Sequence, residues 1–326
     1  MQKRTLGQSG IQVSAIGFGC WAIGGPFWAG EQPLGWGEVD DAESGRAIAR
    51  SLELGITFFD TADVYGAGHG ERVLGRALKG QREAVVIATK FGNVFDEATK
   101  QITGRDASPA YIRAACEASL RRLGTEYIDL YQLHLGDLEP EQALIARETL
   151  EQLVQEGLIR AYGWSTDDPL RAELFASGAD CVSVQHQLNV LEDNPAMLLT
   201  CERLGLSSIN RGPLAMGLLT GKFTNSTALP ADDIRARTPE WMAYFKDGVP
   251  NADWLMRLEA IRAVLTSNGR TLGQGALAWL LARSPATIPI PGSRTAAQAA
   301  QNAQTLELGA LSAEQMLTVT RLLAAG

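Results

Sequence analysis

The stretch GITFFDTADVYG, residues 55–66, decides how this chain is read. A glycine suited to stopping a helix comes first. A short run of β-branched and aromatic residues follows, closing on Asp60 with Tyr65 five positions later. The same kind of unit recurs in AVVIATKFG (84–92), which delivers Lys90, and in YIDLYQLHLG (127–136), which delivers His134. If these runs are neighbouring strands of one parallel sheet, Asp60, Tyr65, Lys90 and His134 meet at its carboxyl edge. A tyrosine beside a lysine–aspartate pair and a histidine can deliver a proton to a carbonyl.

Working outward, the same punctuation continues. Gly157, Gly178 and Gly205 each precede a further β-rich run, as Gly55, Gly80 and Gly124 do. Ser108-Pro109, Asp168-Pro169 and Asn194-Pro195 pair a capping side chain with a proline suited to the first helical turn, and Glu139-Pro140 is a weaker version. Between these marks the apolar residues keep helical spacing, as in Ile112, Ala115, Cys116, Ser119, Leu120 and Leu123. VSAIGFG near the start and TIPIPG near Pro289 complete eight β runs separated by helices. Strand–helix alternation on this scale predicts an α/β fold, a (β/α)8 TIM barrel, as a single domain over residues 1–326. Two pieces lie outside the eight units. TLGQSGIQV reads as an N-terminal β-hairpin that could plug the barrel's bottom. The segment from Phe223 to Asp253, after strand 7, reads as a long functional loop.

Composition limits the function classes. The chain is 45% hydrophobic and 20% charged with a net charge of −8, and no Lys/Arg cluster suits phosphate backbones or an anionic membrane. No apolar run has the length of a membrane span, and no secretory leader is seen, so a cytoplasmic protein is expected. Cys20, Cys116, Cys181 and Cys201 are widely spaced, which suits reduced thiols. Three scattered histidines without HExxH make a metal site unexpected, and His69 and His186 read as structural.

Barrel enzymes place their chemistry at the carboxyl ends of the strands. By strand parity Asp60 goes with Phe58, Lys90 with Ala88, His134 with Gln132, Ser165 with Gly163 and Gln185 with Ser183, so all five can share a face, though parity does not say which face is inside. Taken singly, an aspartate at a strand end usually caps a loop, a lysine is usually solvated and a histidine usually binds a backbone carbonyl. Their joint placement on successive strands favours chemistry. Lys90 is expected to lower the Tyr65 pKa, Asp60 to hold Lys90, and His134 to orient a carbonyl. A carbonyl reduction also needs hydride, which implies a nicotinamide cofactor. No GxGxxG follows a strand and opens a helix, so a Rossmann site is absent.

With GFGCW, GITFFDTADVYGAGHGERVLGRAL, VVIATKFG, YIDLYQLH, GWS, SVQHQLN, GPLAMGLLTGK and IPGSRTAAQAAQN, the chain resembles the aldo-keto reductase family along nearly its whole length, in its bacterial style. The resemblance implies an oxidoreductase reducing small-molecule carbonyls with NADPH, or NADH, held in an extended pose. Tyr65 is then the general acid, Asp60 and Lys90 its tuning pair, and His134 the orienting group. Cofactor contacts are implied at Gly19, Cys20, Trp21 and Asp60, at Ser165, Thr166 and Gln185 for the carboxamide, and along Arg211, Gly212, Pro213, Leu214, Ala215, Met216 and Gly217. Lys222 and Arg235 would serve the pyrophosphate. Gly292, Ser293, Arg294, Gln298, Gln301 and Asn302 would serve the adenosine and its 2′-phosphate. Arg294 lies just before the last α-helix, whose N-terminus favours anions.

Some positions depart from the family's pattern. Thr166 stands where an asparagine is frequent, Gln301 where a carboxylate is, and Arg211 where many relatives stack an aromatic on the nicotinamide. Arg211 could stack its guanidinium, reach the phosphates, or pair with an acid. Trp21, Tyr65, Phe91 and His134 are expected to line the substrate pocket. Phe27, Trp28, Trp36, Trp241, Tyr244, Phe245 and Trp254 either join it or pin loops to the body. Two other readings compete: an NADP(H)-binding regulatory or redox-sensing subunit with slow turnover, and a cofactor-free barrel lyase or isomerase. The intact catalytic four argues against a purely regulatory role. Monomer and homo-oligomer are equally compatible with the sequence.

Overall fold

A computed structural model describes residues 2–224, 227–237, 239 and 241–324. Eight parallel strands pair in chain order: β1 (Phe18–Gly19), β2 (Phe58–Asp60), β3 (Val86–Phe91), β4 (Ile128–Leu133), β5 (Ile159–Ser165), β6 (Cys181–Gln187), β7 (Ser207–Arg211) and β8 (Thr287–Pro289). The sheet closes on itself. Gly17 N–H donates to the Pro289 carbonyl at 2.9 Å and Gly19 N–H to that of Pro291 at 3.0 Å. Closure is tight enough that a Cβ on Gly19 would lie 2.5 Å from the Ile290 carbonyl oxygen. The result is the expected (β/α)8 barrel.

The helices start where the sequence marks them. Helices α1 (Asp41–Glu53), α2 (His69–Ala77), α3 (Pro109–Leu123), α4 (Pro140–Gln155), α5 (Pro169–Phe175) and α6 (Pro195–Leu204) follow β1 to β6. Ser108, Asp168 and Asn194 each accept a backbone N–H of the next turn, whereas Glu139 makes no side-chain cap. Gly178 does not take the left-handed conformation of a helix stop, and it is required because a Cβ there would meet the Tyr162 hydroxyl at 1.8 Å.

The packing settles which parity faces in. Phe58, Val86, Ala88, Leu130, Ala161, Ile209 and Ile288 form an inner cluster with Leu6, Ile11 and Val13 of the N-terminal hairpin (Lys3–Thr5 against Gln12–Ser14), which plugs the barrel's amino end. The alternate set, including Phe59, Ile87, Phe91, Tyr131, Leu133 and Trp164, packs outward in the main core with the helices. Asp60, Lys90 and Gln132, one pleat above the inner cluster, and Ser165, two pleats above Ala161, therefore face the barrel's axis at its carboxyl end. Gln185 joins them through its bond to Asp60, although Val182 of the same strand also lies in the inner cluster.

Two features lie beyond the eight units. Between β7 and β8 the long loop is followed by an additional helix, α7 (Ala252–Leu265), before α8 (Leu272–Arg283), and β8 is followed by α9 (Ala296–Leu308) and α10 (Ala313–Ala324). At the carboxyl end, Trp28–Ala29 and Gln32–Pro33 join a hairpin of Asn93–Asp96 and Gln101–Arg105 in one small sheet. The Gln101 side chain ties the two parts by accepting from Gly30 N–H at 3.0 Å and donating to the Gly30 carbonyl at 3.2 Å.

Candidate active site

The four strand-end residues do meet. Lys90, fully buried, donates through Nζ to Asp60 Oδ1 at 2.5 Å and to the Thr61 carbonyl at 2.8 Å, and stands 3.5 Å from Tyr65 Oη. The other Asp60 oxygen accepts from Gln132 Nε2 at 3.0 Å and Gln185 Nε2 at 2.8 Å. The carboxylate thus takes an ammonium and two amides in a dry pocket, a saturation that makes a buried ion pair tolerable. The His134 ring sits edge-on to Tyr65, centroids 6.0 Å apart. Its Nδ1 is buried without a partner, and Nε2, which no described side chain bonds, is the ring atom left to a ligand.

Electrostatics modify the expected roles. Burial, then the charges of Lys90 and Arg211, hold His134 well below its usual range, so it is a neutral imidazole at pH 7. For Lys90 burial pulls downward, but Asp60 and Tyr65 outweigh it and keep the ammonium above its ordinary value. The expected lowering of Tyr65 is not found. Burial raises it, Lys90 opposes, Asp60 adds to the rise, and the net shift is upward. The reason is that Asp60 already neutralises the ammonium, so its pull on a phenolate 3.5 Å away does not offset desolvation.

Aromatic residues wall the Tyr65 side. Trp21 stacks on Tyr65 at 6.1 Å, 21° from parallel, and is fixed by its indole N–H donating to the Leu34 carbonyl at 2.9 Å. Trp36 meets the edge of Trp21 at 5.4 Å, Trp241 lies 6.4 Å from it, and Phe27 lies 6.4 Å from Tyr65. Phe95 and Ile102 of the small sheet pack beside Phe27 and Tyr65. These two were missed from sequence; the only signal was alternation within NVFD and QITGR. Phe91 does not belong to the pocket. It has the parity opposite to Lys90, is fully buried, and packs on Tyr131 at 4.7 Å in the helix layer. Tyr244, Phe245 and Trp254 pin the long loop: Tyr244 Oη accepts from Gln187 and Asn189, each at 2.7 Å, and donates to Glu192, while Trp254 packs on its ring. Trp28 belongs to the small sheet.

Among the described residues the Ser165 hydroxyl has no protein partner, and the Gln185 amide oxygen accepts no bond. After β7 the backbone of Ala215, Met216 and Gly217 has three consecutive positive φ angles (47°, 54° and 90°), a strained curl that costs about 1 kcal/mol or more per non-glycine residue and clusters at ligand clamps. Lys222 makes no ion pair among the described residues. Burial and then Arg235 lower its pKa, with Asp233 opposing and Arg294 adding to the fall.

Other groups expected at the cofactor are engaged within the protein. Arg235 is buried, bonded twice to Asp233 (2.8 and 2.6 Å) and to the Met216 carbonyl (3.0 Å), with its guanidinium 4.5 Å from the Trp36 ring; it shapes the curl. Arg211 pairs with Asp167 and donates to Gln187 at 3.2 Å. Arg294 donates to the carbonyls of Trp36 and Glu38, and its backbone N–H is taken by Gln298. Thr166 donates to the Gly136 carbonyl at 2.7 Å, Asn302 donates to Ser293 at 2.9 Å, and Cys20 is fully buried, its thiol pushed up by burial and Asp60. Gln301 and Gly292 are exposed at the rim. His186 bonds Ser208 at 2.7 Å and His69 the Gly24 carbonyl at 2.8 Å, both structural. The cysteines are free.

Comparison with known proteins identifies the family. The model of the aldo/keto reductase family matches residues 15–324. The chain belongs to the aldo/keto reductase family. Among its relatives, the aldo-keto reductase YhdN of Bacillus subtilis is 33% identical over 91% of this chain and 86% of its own length. The solved aldo-keto reductase AKR11C1 from Bacillus halodurans, in its holo form, is 33% identical and superposes with a TM-score of 0.79 over 99% of this chain and 96% of its own. An aldo-keto reductase from Klebsiella pneumoniae in complex with NADPH is 27% identical, with a TM-score of 0.71 over 99% and 95%. Like other members of this family, the chain is an oxidoreductase on a barrel scaffold, and none of its described helices is long and apolar enough to cross a membrane.

Proposed function

We propose that this aldo/keto reductase reduces small aldehydes and ketones to alcohols with NADPH, using Tyr65 as the general acid. The observation that carries the reading is the Tyr65 hydroxyl, 3.5 Å from a buried ammonium whose remaining bonds are satisfied, next to an imidazole with no protein partner. The residues present fit a dinucleotide. Ser165 and the Gln185 oxygen are unengaged at the nicotinamide end, and the curl of residues 215–217 with the unpaired Lys222 suits a pyrophosphate. Ser293 and Arg294 precede the N-terminus of α9, and to meet a 2′-phosphate there Arg294 would leave the Trp36 and Glu38 carbonyls. Arg211, held by Asp167, would border the nicotinamide as a cation.

NADPH, when bound, supplies the hydride that reaches the carbonyl carbon. The chain supplies the rest. Neutral His134 donates its single N–H to the carbonyl oxygen and aims it at Tyr65. Tyr65 gives its phenolic proton to that oxygen as negative charge develops there, and Lys90 steadies the resulting phenolate until solvent reprotonates it. Trp21, Trp36 and Phe27 exclude water from one side, suiting uncharged carbonyls of moderate size. These roles suit a cytoplasmic enzyme with a small-molecule substrate.

Tyr65→Phe tests the assignment. Single-turnover reduction of an aldehyde panel should fall by about 10²- to 10⁴-fold, while quenching of tryptophan fluorescence by NADPH stays intact. Turnover that survives the substitution would remove Tyr65 as the acid.

A further inference from the structure

Behind the catalytic residues lies a second buried polar cluster that the reduction does not use. Glu71, on the first turn of α2, is fully buried. Its Oε1 accepts from Thr89 Oγ1 at 2.6 Å and its Oε2 from Arg122 Nε at 2.6 Å. Thr89 directly precedes Lys90, so on β3 the two side chains point to opposite faces, Lys90 into the barrel and Thr89 into the helix layer. Arg122, on the last turn of α3, is 9% exposed and runs beneath the turn that carries Tyr65: a Cβ on Gly68 would meet Arg122 Cδ at 2.7 Å.

That turn hangs on Lys90, the residue next to Thr89 on β3. Lys90 Nζ holds the Thr61 carbonyl at 2.8 Å, and Asp63 N–H reaches the Lys90 carbonyl at 3.3 Å. Gly68 N–H closes the turn on the Asp63 carbonyl at 2.7 Å, and Gly70 N–H, already in α2, donates to the Tyr65 carbonyl at 3.0 Å. Tyr65 is therefore suspended between β3 and the start of α2. Beyond the turn's own backbone bonds, the Glu71 carboxylate ties α2 back to β3, one residue from the ammonium that Tyr65 must face.

We propose that Glu71, acting through Thr89 and Arg122, is a positioning residue for the general acid: it sets the distance between Tyr65 Oη and Lys90 Nζ. A role confined to stability would need only the Glu71–Arg122 pair. The short bond to Thr89 adds register, because sliding α2 along β3 would move Tyr65 off the ammonium. A displacement of the order of 1 Å at a reacting group costs about 10²-fold in rate. The inference rests on the reading of Tyr65 as the acid.

The test substitutes Thr89, whose loss leaves the Glu71–Arg122 pair standing even if Glu71 variants do not fold. In Thr89→Val we expect single-turnover reduction to fall about 10- to 100-fold, with the aldehyde KM and the NADPH affinity within about twofold. The alkaline limb of the rate profile, which reports Tyr65 ionisation, should move to higher pH because the phenolate loses its ammonium. Thr89→Ser, which keeps the hydroxyl, should restore both. Unchanged rate and limb in Thr89→Val, or a loss that Thr89→Ser does not rescue, would overturn the proposal. Tyr65→Phe, run alongside, separates the two ideas: if it keeps turnover, the acid assignment has failed and takes the positioning role with it. If it abolishes turnover while Thr89→Val does not change it, only the positioning role has failed.

Discussion

Strand β3 carries a buried ion pair on each face, and the two are built differently. Inside the barrel, Lys90 and Asp60 share their bonds with Thr61, Gln132 and Gln185, and the ammonium still reaches Tyr65. Outside it, Glu71 is divided between Thr89 and Arg122, while a second carboxylate, Asp63, lies buried close by with Oδ1 unpartnered. Burial, then Glu71, raises Asp63 well above the usual carboxylate range, with Arg122 opposing. The inner pair is one acid and one cation, and two neutral amide donors still hold the carboxylate if the ammonium is lost. In the outer cluster Arg122 serves the buried Glu71 and Asp63 and, at the surface, Glu97 at 3.3 Å. One face is arranged for chemistry and the other for holding elements together.

The comparison breaks first at Lys90. Lys90→Met should lower single-turnover reduction by about 10²-fold or more, while Asp60 keeps two amide donors and the fold survives. Arg122→Met should do the reverse in kind. It leaves Glu71 buried beside Asp63 without a cation, and urea unfolding should show a loss of about 3–5 kcal/mol. If Lys90→Met proves the more destabilising of the two, the division between the faces is wrong. A smaller effect comes from His186, another buried group on an outer strand face, pushed down to about 4 by burial. Its folded value lies below its ordinary one of about 6.5, so the stability tied to it is full above pH 6.5 and is lost as pH falls toward 4. At pH 5 that loss amounts to about 2 kcal/mol relative to pH 7. Urea melts of His186→Gln at both pH values should show a shallower drop than the parent chain; an equal drop would assign the acid sensitivity elsewhere.

How far this arrangement could be read in advance depends on the range of the interaction. Helix starts at Ser108, Asp168 and Asn194 were legible because cap and first turn are adjacent in sequence. The meeting of Asp60, Tyr65, Lys90 and His134 was legible because strand ends in a closed barrel share a rim, and parity put Asp60, Lys90 and His134 on one face. Phe91 was misread because a residue next to Lys90 was counted by proximity when its parity sent it outward. The Tyr65 shift was misread because the pull of Lys90 was weighed without the desolvation and the Asp60 neutralisation that oppose it. The partners of Arg211, Arg235 and Arg294 were invisible for a different reason. A guanidinium in a loop can serve a ligand or its own scaffold, and the choice depends on carbonyls and carboxylates such as those of Trp36, Met216 and Asp167. The small sheet was missed because it joins residues near 30 to residues near 100 through little more than Gln101 and one strand contact.

The closure of β1 on β8 has a consequence for synthesis. Asp60, Tyr65, Lys90 and His134 all emerge from the ribosome within the first half of the chain, on consecutive strands that can pair as they appear. The bonds from Gly17 and Gly19 to Pro289 and Pro291 cannot form until nearly the whole polypeptide is made. At roughly 5–20 residues per second, the nascent protein spends many seconds with these four residues present and two open strand edges exposed. Those edges invite pairing with other chains. The last strand therefore ends that exposure as well as completing the barrel.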